Sequence, residues 1–327
     1  MTGGAPPIAG ATGLTPAQTS ALAARAGRTP VDPAAVPCHH RLVHEKERVI
    51  SSPPVVGPAP LTRGMRRLIT FAIALAVTAG VSLYLLTGDT DRFFAWTIAS
   101  PLTAAFLGAM YLGDIPQLVA ARRERVWAYA RQCAWGIFLF TAVSLVATAN
   151  HLDKFHLAGP LGTATAAGWL WMAVYITLPV TTGWLLWQQS RVPGGEPPVT
   201  APMSPGERAA YWAIAAGAGL LGATLLFAPG VNAWPWALTP LTSRAISARV
   251  LAMAGLAWLS ARHGDRRQLT SGHGSLAVRG ALALLAVARY PSEIDLGAPA
   301  GLAFVIACAV AAVAGTAAMR VSRLKEI

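Results

Sequence analysis

Two stretches of this chain match each other at a constant offset of 139 residues, and each contains four apolar runs of membrane length. Pro101-Leu102-Thr103 recurs as Pro240-Leu241-Thr242. With no gap after that, Arg123 falls on Arg262, Leu145 on Leu284, Pro160 on Pro299 and Gly162 on Gly301. Matches of Ala and Leu carry little weight in so apolar a chain; matches of Pro, Thr, Gly and Arg carry more. The pattern predicts a duplicated four-helix membrane unit.

Hydrophobic residues occupy 54% of the 327 positions and charged residues 12%. A soluble domain uses about 25% charged residues to cover its surface, so this composition belongs to a membrane protein. A spanning helix needs roughly 20 apolar residues. The runs that supply them are Leu68–Leu86, Phe93–Ile115, Ala130–Ala149, Thr163–Trp187, Ala209–Phe227, Leu238–Ser260, Ser275–Tyr290 and Pro299–Met319. The seventh is short and contains Arg279, which makes it the weakest of the eight.

The net charge of +12 is explained by where the cations fall. Arg63, Arg66 and Arg67 precede the first run, and Arg122, Arg123 and Arg125 follow the second. Arg191 and Arg208 bracket the linker at 192–205. Arg262, Arg266 and Arg267 follow the sixth run, and Arg320, Arg323 and Lys325 the eighth. Lys and Arg thus gather on every second loop, as the positive-inside rule requires. The expected topology has both termini cytoplasmic in the plasma membrane, with Asp153 and Asp295 outside. This placement argues against nucleic acid as a partner.

Four segments follow from the pattern. Residues 1–64 are rich in Pro and Ala and hold no apolar run, so they are expected to be disordered. Met65-Arg66-Arg67 also reads as an ordinary start, which leaves an untranslated extension as the other reading of 1–64. Residues 65–191 and 206–323 form the two four-helix repeats, joined by the linker 192–205. Because each repeat has four spans, both enter the membrane in the same direction, a parallel duplication.

Candidate chemistry lies at the outer ends and in the buried charges. Trp96 and Trp236 suit an interfacial belt. Pro101 and Pro240, read as lying inside helices, would kink them and expose backbone toward an outer cavity. Asp114 sits roughly 12 Å above the basic end, while Arg249 lies about 20 Å above Arg262, at 1.5 Å per residue. The two are therefore expected at depths differing by roughly 10 Å, too far for a direct pair without bent helices or water. With Arg279 at a similar depth to Asp114, these residues are the candidate ligand-binding set. A lone buried arginine favours an anionic ligand or an acid as its partner.

His151, Asp153 and His156 have the chemistry of metal ligands, but three residues on one short loop rarely complete a site. No histidine falls mid-membrane, which removes the usual axial ligands of a transmembrane haem. Cys38, Cys133 and Cys308 form no CxxC pair. There is no GxxxxGK[ST], GxSxG or HExxH motif, so no catalytic residue, metal or cofactor is implied.

The segment Phe93–Gly108, together with the Trp-Pro-Trp-Ala-Leu-Thr-Pro-Leu-Thr stretch from Trp234, resembles uncharacterised multi-pass membrane proteins of high-GC actinobacteria. The resemblance covers roughly residues 65–323 and implies no activity and no site residues. The sequence reading is an all-α polytopic protein of eight spans that binds or moves a small solute or lipid where the repeats meet. The alternative is a non-catalytic assembly or sensor subunit. A cavity reaching Arg249 favours the first, and a filled bundle the second. The lipid bilayer is the expected surrounding partner, and nothing in the sequence sets an oligomeric state.

Overall fold

In the computed structural model, residues 57–324 are described, and they are helical with only isolated β-bridges. Eight long helices follow in order: α1 (Arg63–Leu85), α2 (Pro101–Arg123), α3 (Trp127–Ala149), α4 (Thr163–Ser190), α5 (Pro205–Phe227), α6 (Pro240–His263), α7 (Thr270–Arg289) and α8 (Pro299–Leu324). Among the described residues, seven segments are long and apolar enough to cross a membrane. This is the architecture of a polytopic membrane protein.

Of the eight long helices, one falls short of the apolar length expected of a span, and it is not the seventh. The segment Arg266–Arg289 qualifies, whereas α6, at 24 residues, does not. Ser243, Arg244, Ser247 and Arg249 dilute its apolar character. Neighbouring helices absorb that polarity. α6 packs against α3 and α5, and Ser243, Ile246, Ser247 and Ala248 are buried. Helix α2 is placed likewise, touching α1, α7 and α3, with 67% of its apolar window buried. The corresponding figure for α8 is 11% and for α5 is 17%, so these two line the periphery with side chains such as Val310 and Leu220 turned outward. Helices apolar all round face lipid, and polar ones are sheathed by them.

Glycines set the closest approaches. A Cβ on Gly113 would lie 2.1 Å from Arg279 Cγ and 3.1 Å from its Cα, so α2 and α7 meet only because that position is bare. Gly280 gives α7 the same access to α8, where a Cβ would lie 2.4 Å from Cys308 O. Small residues at such crossings let helix backbones pack without a hydrophobic driving force.

Several expectations need correction. Pro101 and Pro240 do not kink helices; each is the first residue of one, capped by Ser100 and Thr239, whose hydroxyls accept from the amides of Thr103 and Thr242. Proline is favoured there because its missing N–H would have no intrahelical partner. The prolines inside helices are Pro116 in α2 and Pro179 in α4. Trp96 and Trp236 do not form an interfacial belt, since only 2% and 7% of their surfaces are exposed. Trp96 packs against Phe94 and Trp171 at centroid distances of 4.6 and 4.7 Å, and Trp236 against Phe304 at 5.1 Å.

The end of the segment expected to be disordered is ordered. Leu61 N donates to Arg125 O at 2.8 Å and Trp127 N to Ala59 O at 2.9 Å. Thr62 caps α1, accepting from the amide of Met65, which is wholly buried. The rest of that segment lies outside the described residues. Loss of an N-cap costs about 1 kcal/mol. A chain lacking residues 1–64 is therefore expected to unfold at lower temperature in detergent than one lacking 1–56, and Thr62→Ala should reproduce part of the difference. Equal midpoints for the two truncations would refute the role given to 57–64.

Candidate functional site

The polar residues of three central helices converge at mid-depth. Asp114 projects from α2 between two guanidinium groups: Oδ2 accepts from Nη1 of Arg249 on α6, and Oδ1 from Nη2 of Arg279 on α7. The three side chains are 21%, 11% and 17% exposed, and what exposure they have faces a cavity. Local sequence prepares this meeting. Gly113 lets the stem of Arg279 cross α2 beside Asp114. Pro116 has no N–H to offer the preceding turn, and the next amide, Gln117 N, donates to Ser275 Oγ of α7 at 2.9 Å. The irregular rung of α2 is thus stitched to the helix that brings Arg279.

The direct Arg249–Asp114 pair corrects the expected depth offset. Counting residues from helix ends treats the helices as upright and leaves out the length of an arginine side chain. Aromatic rings hold that chain in place. The Arg249 guanidinium carbon lies 3.5 Å from the Phe140 ring centroid and 4.2 Å from that of Tyr111. Such cation–π contacts grow stronger where water is excluded. Arg249 Nε is buried without a hydrogen-bond partner.

The cavity that these charges border measures about 200 Å³. Its walls come mainly from α1, α2, α3 and α4, with Ala252, Met253 and Leu256 of α6 closing one side. Tyr111 and Tyr175 join hydroxyls at 2.6 Å across its α2–α4 edge. Its rim includes the exposed Thr78, Phe93 and Leu170, which belong to α1, the turn after it and α4. Helices α1 and α4 are tied near one end, where Thr62 N donates to Gln189 Oε1 at 3.0 Å and Gln189 Nε2 to Pro60 O at 2.8 Å. Exposed lining residues thus lie on α1, on α4, in the turn after α1 and, at Met253, on α6. The cavity lies largely among the first four helices, with charges supplied from α6 and α7.

Of the seven residues selected from sequence, Asp114, Arg249 and Arg279 come together. Trp96 reaches the group indirectly, through a void of about 10 Å³ that it shares with Tyr111, Phe140 and Arg249. Trp236 is elsewhere, donating from Nε1 to Thr103 Oγ1 at 2.9 Å. Pro101 and Pro240 only start helices. Tyr111, Phe140, Tyr175 and Gly113 were not singled out. Tyr111 was accessible to reasoning, since it precedes Asp114 by three residues and shares its face. The loop histidines separate: His151 meets Arg244, whereas His156 Nδ1 lies 2.9 Å from Phe94 O and Nε2 3.1 Å from Thr97 Oγ1.

Removing one partner of a buried charge group leaves an uncompensated charge, at a cost of about 3–5 kcal/mol. Asp114→Ala strands two arginines and should lower the thermal midpoint more than Arg249→Met, which leaves Asp114 paired with Arg279. The reverse order in a melting experiment would show that Asp114 does not hold the group together. His151 gives a pH test. Partial burial and the neighbouring Arg244 lower its pKa below the ordinary histidine value. The fold then binds fewer protons there than the unfolded chain, so the His151 contribution is complete above the ordinary range and fades as pH falls through it. His151→Gln should flatten that slope in stability measured against pH; an unchanged slope counts against it.

Comparison of the chain with protein-family models, curated proteins and solved structures found no match in any of the three.

Proposed function

We propose that the chain is a duplicated, eight-span protein of the plasma membrane that binds a small solute or lipid in the cavity beside Asp114, Arg249 and Arg279. The observation that carries the reading is the coincidence of a sizeable space with the three charged side chains that, among the described residues, line it. A bilayer core penalises a charge by about 2.5–3.5 kcal/mol on insertion scales, so charges kept there are usually functional. The alternative of a filled, purely structural bundle has no such space.

Internal correspondences support the duplication. Pro60 bridges Val126 as Pro202 bridges Asp265. Leu61 N donates to Arg125 O at 2.8 Å, as Met203 N does to Gly264 O at 2.8 Å. Arg66 reaches the carbonyl of Arg122, and Arg208 that of Ala261. A Cβ on Gly80 would strike Leu112, and one on Gly222 would strike Leu251. Across the halves, α2 packs on α7 as α6 packs on α3. Each pair is what a pseudo-two-fold axis along the membrane normal would generate. The site breaks the symmetry: at the offset of 139, Asp114, Arg249 and Arg279 correspond to Met253, Met110 and Phe140. The α2–α7 contact thus carries Asp114 and Arg279 where the α6–α3 contact carries Met253 and Phe140, and Arg249 of α6 reaches across to the first.

The charge distribution supports an orientation with the basic loops and both termini cytoplasmic. In a chain stripped of its own cysteines, Asp153→Cys should react with an impermeant reagent on intact cells and Val199→Cys should not; the opposite pattern inverts the topology. For the cavity, a ligand that binds only the folded state raises the unfolding temperature. Lipids and small solutes that stabilise the purified protein should lose that effect in Val174→Trp, whose indole would occupy the space. Undiminished stabilisation of the variant, or none of the wild type, would remove the cavity from the account.

A further inference from the structure

We infer that the cavity takes a small apolar monoanion: a carboxylate of about ten heavy atoms whose head meets Arg249 and Arg279 and whose hydrocarbon body fills the space above them. This rests on the proposal that the cavity is a binding site, and three observations narrow the ligand. The first is charge. Among the described residues, the charged ones bordering the cavity are Asp114, Arg249 and Arg279, two cations and one anion, so this wall carries an excess of one positive charge. In surroundings of low dielectric constant, a single negative charge balances that excess. A dianion would overshoot, and a cation would add to it.

The second observation is an open valence. Arg249 Nη1 is committed to Asp114, its planar guanidinium packs on the rings of Phe140 and Tyr111, and its Nε–H is buried with no partner. Arg249 is thus only partly satisfied by the protein, and the 11% of its side chain that stays exposed borders the cavity, where an oxygen of a carboxylate is the strongest acceptor for a guanidinium. The third is size. An engineered protein cavity of about 150 Å³ holds a benzene-sized ring, so a space of about 200 Å³ holds such a ring with a short acidic arm. It does not hold a phospholipid. Its remaining walls are mostly apolar and aromatic, with Thr78, Ser82, Gln117 and Thr141 among the exceptions, which suits an acid with a hydrocarbon body.

The experiment uses the purified full chain in detergent, with binding read by calorimetry for three probes of one shape: phenylacetate, phenylacetamide and phenethylamine. Phenylacetate should bind, the neutral amide should bind about tenfold to a hundredfold more weakly for loss of a charge-assisted hydrogen bond, and the amine should not bind. Arg249→Gln should weaken phenylacetate by a similar factor while leaving the amide unchanged. Asp114→Asn should tighten phenylacetate, because it removes the carboxylate that competes for both guanidinium groups; a merely structural triad predicts weaker binding in that variant. Should the amide or the amine bind as well as the acid, the inferred class is wrong although the cavity remains a site. If no probe binds and Val174→Trp also changes no lipid or solute response, the cavity reading falls with it.

Discussion

An aspartate held between two arginines, in a largely apolar bundle, is the constraint on which the arrangement of this protein depends. None of the three charges is tolerable alone at that depth. Each comes from a different helix, so satisfying them fixes α2, α6 and α7 relative to one another. That requirement explains the bare position at Gly113, the proline-interrupted rung at Pro116 bonded to Ser275, and the rings of Tyr111 and Phe140 around the Arg249 guanidinium. The pairing satisfies local geometry without balancing local charge.

The polar requirement also sorts the helices. α2 and α6 carry the residues that a membrane rejects, and both sit inside the bundle. α5 and α8 carry almost none and present Leu220, Phe227, Val310 and Val313 outward. Hydropathy alone would rank α6 as the least membrane-like element of the chain. Its neighbours make it viable by taking over contact with lipid, and the shelter they give is what allows Arg249 to exist at mid-depth.

How much of this was legible in the sequence depended on the range of the information needed. Helices announced themselves through apolar length, and the charged members of the site through their improbability in such runs: Asp114, Arg249 and Arg279 were all identified. What failed was geometry. Pro101 and Pro240 were read as interior residues because the apolar runs began before them, whereas Ser100 and Thr239 start the helices there. Trp96 and Trp236 were given an interfacial role from residue type, but their burial is decided by loops folding back over the bundle. The Arg249–Asp114 pair was doubted because residue counting carries no tilt and no side-chain reach. Tyr175 and Phe140, on α4 and α3, could be linked to the site only by tertiary packing.

The separation of 135 residues between Asp114 and Arg249 has a consequence for how the protein is made. A ribosome adds about 5–20 residues per second, so α2 emerges on the order of ten seconds before α6. During that interval the acid has no cation to meet: the first half of the chain carries Asp114 without an arginine at its depth, and both partners lie in the second half. The half-made protein therefore holds an unpaired carboxyl in or near the bilayer until later helices arrive, a state that membrane chaperones and quality-control proteases are equipped to notice. Completion of the triad therefore waits on synthesis of the second half of the chain.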